Sequence, residues 1–156
     1  VTPDFLVPKD RNMPSVFRST VLPFPINEVW PLIRDFGRLS DWHPLIMDSV
    51  IENNAPQHQV GCVRHFKLTD GGLFREKLLA LNDFKKTLTY TILESPLPLT
   101  DYCSTMKLQQ ITVGNQTFMS WSSSFVCPVE AESELITAVG DTVYQGGFDA
   151  LTTYLS

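Results

Sequence analysis

Gly61-Cys62-Val63-Arg64-His65-Phe66-Lys67-Leu68, then Thr69-Asp70-Gly71-Gly72, then Leu73-Phe74-Arg75-Glu76-Lys77-Leu78-Leu79-Ala80 reads as a β-hairpin with two charges on its apolar face. Side chains alternate along a strand, so Phe74, Glu76, Leu78 and Ala80 share one face while Arg75 and Lys77 share the other. In the first strand Arg64 falls with Cys62, Phe66 and Leu68. An inward Arg and an inward Glu on neighbouring strands are costly unless they meet each other or a polar ligand. The pattern predicts a lined cavity rather than a solid core; a structural salt bridge at a strand end is the competing explanation. For both apolar faces to point the same way the loop must hold an odd number of residues. Asp70-Gly71-Gly72 serves as a three-residue loop, which sets Phe66 opposite Glu76 and Arg64 one diagonal step away.

Working outward, the strand period of two continues on both sides. Met47 to Asn53, Thr87 to Leu93, Tyr102 to Ile111 and Thr117 to Cys127 read as strands, with turns at Asn53-Asn54, Asn82-Asp83 and Gly114-Asn115. Ser15 to Leu22 is a first strand. Val29, Trp30, Ile33 and Phe36 have helical spacing behind an Asn27 cap, with Pro31 placed in the first turn and Gly37 as the stop. Asp41-Trp42-His43 forms a second helical turn stopped by Pro44. Ile136, Val139, Val143, Phe148, Leu151 and Leu155 define one long final helix capped by Ser133, with Gly146-Gly147 marking either close packing on the sheet or room for a ligand. Strands in a run with segregated helices make an α+β domain over residues 15–156, preceded by an extended, proline-bearing arm over residues 1–14.

Composition narrows the function classes. The 156 residues suit one domain, 43% of them are hydrophobic, and the formal net charge is −5. No basic stripe offers itself to nucleic acid, and no apolar run approaches the ~20 residues of a membrane span. Cys62, Cys103 and Cys127 are scattered and odd in number, which predicts a reducing, cytoplasmic setting rather than a disulfide scaffold. His43, His58 and His65 are dispersed without a carboxylate cluster, so neither a metal site nor a cofactor is expected. Ser122, Ser123 and Ser124 lack a neighbouring base, which argues against a hydrolase triad.

Glu28-Val29-Trp30-Pro31-Leu32-Ile33-Arg34-Asp35-Phe36-Gly37-Arg38-Leu39 with Trp42-His43-Pro44, Val60-Gly61-Cys62-Val63-Arg64, Asp70-Gly71-Gly72 with Glu76-Lys77-Leu78, Leu93-Glu94-Ser95-Pro96-Leu97-Pro98 with Tyr102, and Phe118-Met119-Ser120-Trp121-Ser122-Ser123-Ser124-Phe125 follow one another in order. Together they resemble the polyketide cyclase/dehydrase branch of the SRPBCC, or START-like, superfamily. The resemblance implies a helix-grip fold: a seven-stranded antiparallel sheet around a long C-terminal helix, enclosing a cavity for apolar ligands. It extends to abscisic acid receptors at Arg64, Glu76 and Tyr102, but departs from them at the gate (Thr69-Asp70-Gly71-Gly72-Leu73), at the latch (Leu97-Pro98-Leu99) and near Trp42, so a hormone-receptor role is not implied. Lachrymatory factor synthases are similar along the same strands, and their acid-base pair matches Arg64 and Glu76, with Tyr102 alongside.

Two functional expectations follow. The first is a binding protein, monomeric or weakly dimeric, for a small hydrophobic molecule with one polar end, such as a lipid, polyketide or aromatic metabolite. Arg64, Glu76 and Tyr102 hold the polar end, and Trp42, His43, Phe66, Tyr90, Met106, Trp121 and Phe125 enclose the rest; for His43 a surface or cap role competes. The second is a cyclase, dehydratase or isomerase in which Glu76 moves a proton and Arg64 stabilises an oxyanion. A ligand-gated interaction module is a third, weakened by the altered gate and latch.

Overall fold

The computed structural model describes residues 9–156; residues 1–8, most of the N-terminal arm, lie outside the described residues. Strands β2 (Ser15–Leu22), β3 (Ile46–Ile51), β4 (Val63–Leu68), β5 (Leu73–Asn82), β6 (Thr87–Glu94), β7 (Thr100–Ile111) and β8 (Gln116–Pro128) form an antiparallel sheet in the order β2-β8-β7-β6-β5-β4-β3. A two-residue strand β1 (Arg11–Asn12) extends the same edge by pairing with Cys127 and Pro128. The strict alternation in β8 buries Thr117, Met119, Trp121, Ser123, Phe125 and Cys127, and in β7 Tyr102, Ser104, Met106 and Leu108. These inward faces pack on a helical rod at the C-terminus, which is the helix-grip arrangement.

The hairpin has the expected loop length but a different register. Arg64 lies directly opposite Glu76, and Phe66 opposite Phe74. The loop is Thr69-Asp70-Gly71, closed by the Leu68 amide donating to the Gly72 carbonyl at 2.8 Å. The last loop position needs a left-handed backbone, and Gly71 takes it with φ +95°. The Asp70 carboxylate then accepts from the Gly72 amide at 2.9 Å. Further along β5 a bulge at Leu79 turns Ala80 outward, contrary to its expected inward face, and brings Leu81 onto the core.

Helix α1 (Ile26–Arg34) starts one residue before the expected cap. Pro25 occupies the capping position with extended backbone, and its carbonyl accepts from the Glu28 and Val29 amides, so Asn27 lies inside the helix. Pro31 consequently sits in the second turn, on the exposed face, where water can serve the carbonyl it leaves without an amide. A short helix α2 (Leu39–Trp42) follows, and His43 leaves it in extended conformation.

The final rod begins at Val129, before the expected Ser133 cap, and runs as a 3-10 turn, α3 (Glu132–Ile136), a π-helical segment (Thr137–Gln145) and α4 (Gly146–Leu155). A π-helix advances its contact face by about five residues rather than four. The inward positions therefore step from Val139 to Tyr144, then to Phe148 and Leu151. Gly147 marks close packing: a Cβ there would lie 2.8 Å from Trp121 Cζ3 and 3.4 Å from His43 Cδ2.

Candidate functional site

Between the concave sheet and the π-helical segment lies a cavity of about 250 Å³, with a mostly apolar lining. The sheet contributes Arg64 and Phe66 from β4, Phe74 and Glu76 from β5, Tyr90 and Ile92 from β6, Tyr102 from β7 and Trp121 from β8. The rod contributes Ala138, Val139, Thr142 and Val143, and the segment after α2 contributes His43, Leu45 and Ile46. Each lining strand residue occupies an inward position of its alternation, so the sheet's period of two assembles the wall.

Arg64 and Glu76 are both buried at one side of this space. Arg64 Nε donates to Glu76 Oε1 at 2.9 Å, and Nη2 lies 2.8 Å from the same oxygen. Nη1 donates to the Phe36 carbonyl at 3.0 Å, and the guanidinium carbon sits 3.8 Å from the centroid of the Phe36 ring. The cation is thus held by a carboxylate, a carbonyl and an aromatic face, as a buried charge requires. Glu76 Oε2 has no protein hydrogen-bond partner among the described residues. Burial pushes the Glu76 carboxyl above its ordinary range, against the pull of Arg64.

A second polar group reaches the space through Tyr90, Tyr102 and Trp121 and continues behind the wall to Ser104 and Tyr144. Tyr102 and Tyr144 share a short hydroxyl–hydroxyl contact, and the Tyr144 and Ser104 hydroxyls lie 3.1 Å apart. Trp121 Nε1 reaches Ser104 Oγ at 3.1 Å and the Tyr90 hydroxyl at 3.2 Å. The Trp121 and Tyr144 rings stack with centroids 4.5 Å apart. Burial pushes the Tyr90 and Tyr102 phenols up, so they stay protonated. His43 is also buried, which corrects the surface role, while the cap role holds: it closes α2, its amide donating to the Leu39 carbonyl at 3.0 Å. Its Nδ1 accepts from the Leu45 amide at 3.3 Å and its Nε2 faces the Val143 carbonyl at 3.2 Å, an arrangement that demands the neutral Nε2–H ring. Desolvation lowers its pKa, with the Val143 carbonyl opposing and the Arg64 charge adding to the fall.

The structure brings Arg64, Glu76, Tyr102, His43, Phe66, Tyr90 and Trp121 to one cavity. Trp42, Met106 and Phe125 do not line it. Trp42 is buried beside a shallow surface cleft with Pro44, Gly146 and Tyr154. Met106 pairs with Trp121 in the β7–β8 ladder, and the Phe125 ring stacks on Tyr102, so both belong to the packed core. Tyr144 and Ser104 are the polar residues that sequence reasoning missed. The five-residue step from Val139 and the four-residue step to Phe148 are the signal for Tyr144, legible only once a π segment is allowed. Among the described residues no cluster of His, Cys, Asp or Glu is placed to hold a metal ion. No helix of the described residues is long and apolar enough to cross a membrane.

A curved sheet gripping a helix around an apolar cavity with a buried ion pair defines a class of cavity-bearing α+β domains. The family model described as polyketide cyclase / dehydrase and lipid transport matches residues 13–156, and the chain belongs to that family. Among solved structures, a protein of Bacillus thuringiensis shares 30% identity with a TM-score of 0.80, covering 92% of this chain and 100% of its own. The protein XoxI of Bacillus cereus shares 31% identity with a TM-score of 0.78, covering 91% and 96%. Norcoclaurine synthase of Thalictrum flavum, solved in complex with dopamine and hydroxybenzaldehyde, has a TM-score of 0.73 at 13% identity, covering 94% and 88%, a likeness of fold. No curated protein matches the sequence.

Proposed function

We propose that this protein binds a small, largely apolar molecule with one polar end in the cavity between sheet and rod. Arg64, Glu76 and Tyr102 receive the polar end, while His43, Phe66, Tyr90 and Trp121 surround the remainder. The observation that carries this reading is the cavity itself: about 250 Å³ of apolar-walled space with one carboxylate oxygen left without a protein donor. A carboxylate oxygen that faces a cavity without a protein donor is free to accept from a ligand or water. The reading accords with the family and with a fold relative that holds small aromatic molecules. The scattered thiols of Cys62, Cys103 and Cys127 fit a reducing, cytoplasmic setting.

Native against denaturing mass spectrometry of the purified protein, with naphthalene as a reporter ligand, tests this. The expected result is a non-covalent mass or reporter binding that Ala138→Phe, which places a ring in the cavity, abolishes. A protein that carries nothing and binds no reporter, or binds it equally well in Ala138→Phe, overturns the reading.

A second reading is favoured by one observation: the Glu76 carboxyl is raised by burial and keeps Oε2 free beside a fixed cation. A carboxyl so poised can take and return a proton while Arg64 steadies an oxyanion, the chemistry of a cyclase, dehydratase or isomerase. In that case Glu76→Gln abolishes turnover and leaves affinity nearly intact; retention of both turnover and affinity rejects a catalytic Glu76.

A further inference from the structure

The β5–β6 turn displays Phe84, which is 94% exposed. The turn around it is tightly built. The Asn82 side-chain oxygen accepts from the Lys85 amide at 2.8 Å. The Asp83 carboxylate accepts from Trp30 Nε1 at 2.8 Å and from Arg34 Nε and Nη2 at 2.8 and 3.1 Å. The Asp83 carbonyl accepts from Lys86 Nζ, and the Lys86 carbonyl accepts from the Leu108 amide at 3.0 Å, which ties the turn to β7. An ordered turn thus holds an aromatic ring in water, where its apolar surface contributes nothing to folding. Val113, 85% exposed, stands on the β7–β8 turn at the same end of the sheet.

Charge at this end runs against that of the whole protein, which is −5. Arg18, Arg34, Arg38, Arg64 and Arg75 are each paired with a carboxylate. Among the described residues Lys85, Lys86 and Lys107 have no such partner. Lys107 lies opposite Thr87 in the β6–β7 ladder, next to Lys86. Asp83, the carboxylate of the turn, is taken by Arg34. Strand pairing therefore gathers three uncompensated lysines beside the displayed ring.

We propose that this end of the sheet docks on an anionic lipid surface, with Phe84 and Val113 entering the boundary between head groups and acyl chains and Lys85, Lys86 and Lys107 drawn to the head groups. Two apolar side chains on separate turn tips offer too little continuous surface for a protein interface. A bilayer takes single protruding rings, and its anionic head groups attract nearby lysines without exact geometry. The docking goes beyond the cavity reading and does not depend on it. Asp70 and Leu97, which line the cavity, belong to the turns at the opposite ends of β5 and β6, so the docked protein keeps that side of the cavity turned away from the lipid.

The test is co-sedimentation of the full chain, at low salt, with vesicles of phosphatidylcholine and phosphatidylserine in equal parts and with vesicles of phosphatidylcholine alone. Partition into the mixed vesicles is expected to be at least about tenfold stronger, and to weaken as salt is added. Phe84→Ser is expected to lower it at least about fivefold while unfolding at the parent's urea concentration. Lys85→Gln and Lys107→Gln are each expected to lower it about fivefold. Absence of partition into the mixed vesicles overturns the proposal, as does equal partition into both vesicle types or unchanged partition of Phe84→Ser. A dimer seen in sedimentation velocity, dispersed by Phe84→Ser and without vesicle binding, overturns it in favour of a second copy as the occupant. Should Phe84→Ser fail to fold, Val113→Ser and the comparison of the two vesicle types decide.

Discussion

Arg64 and Glu76 face each other directly across the β4–β5 ladder, both buried, with Nη2 and Oε1 2.8 Å apart. Breaking such a pair from one side leaves an uncompensated charge, which costs about 3–5 kcal/mol, whereas replacing both partners by apolar groups is often near neutral. Arg64→Met should therefore lose about that much stability at pH 7, and Arg64→Met/Glu76→Leu should recover most of it. Urea unfolding of the two variants measures this; equal losses in both would show that the pair contributes through packing rather than charge.

The pH dependence carries a signature of Glu76. Its carboxyl is raised above the ordinary value of 4.5, first by burial, with Arg64 opposing. The folded state holds this proton more tightly than the unfolded chain, so the linked stability is complete below the ordinary value and is lost as pH rises through the raised one. Glu76→Gln has no such limb. The unfolding free energy of the parent minus that of the variant should fall as pH climbs from the ordinary carboxylate range. A flat difference would place the Glu76 pKa at its unfolded value.

His43 produces the opposite slope at higher pH. Its ring is held below the ordinary 6.5 by burial, with Arg64 contributing and the Val143 carbonyl resisting. The folded state binds this proton less readily, so stability present above the ordinary value is lost as pH falls through the depressed one. Two-dimensional nitrogen–proton spectra should show the neutral Nε2–H tautomer persisting below the pH at which a free imidazole charges. An Nδ1–H ring would contradict the Leu45 contact.

Adjacent glycines should respond to alanine in opposite directions. Gly147→Ala forces a Cβ to 2.8 Å from Trp121 Cζ3, and overpacking of this kind costs about 1–3 kcal/mol. Gly146→Ala meets nothing nearer than the Asp141 carbonyl at 3.8 Å and gains about 0.5–1 kcal/mol from helix propensity. Thermal melts should separate the two by several degrees, at about 2–4 °C per kcal/mol for a domain of this size.

Tyr144 is the hub of the hydroxyl network behind the cavity wall, touching the hydroxyls of Tyr102 and Ser104. Tyr144→Phe keeps the ring stacked on Trp121 and removes only the hydroxyl. Leaving buried partners unsatisfied costs about 1–3 kcal/mol. The loss should appear in urea unfolding with Trp121 emission still that of a buried indole.

The period of two along the hairpin and along β7 and β8 was enough to place Arg64, Glu76, Tyr90, Tyr102 and Trp121 on the inward face, because strand alternation is a local property of the backbone. The same locality explains the failures. Arg64 was expected one diagonal step from Glu76; the true register depends on which loop residue turns left-handed, and two adjacent glycines qualify. Met106 and Phe125 share the inward face yet miss the cavity, since alternation says which side a residue points to and not what lies opposite.

By itself, then, the sequence determined the class of fold and placed Arg64 and Glu76 on inward strand positions, which follow from the order of elements and from local alternation; that the two meet as a pair depends on the strand register. Only the tertiary structure decided that His43 is buried, that Tyr144 meets the Tyr102 hydroxyl behind the cavity wall and that Trp42 lies outside the cavity. Those outcomes turn on how the rod seats against the sheet. A π-helical segment shifts its face by one residue, and Gly147 lets it approach Trp121, so residues far apart in the chain settle which side chains share the cavity.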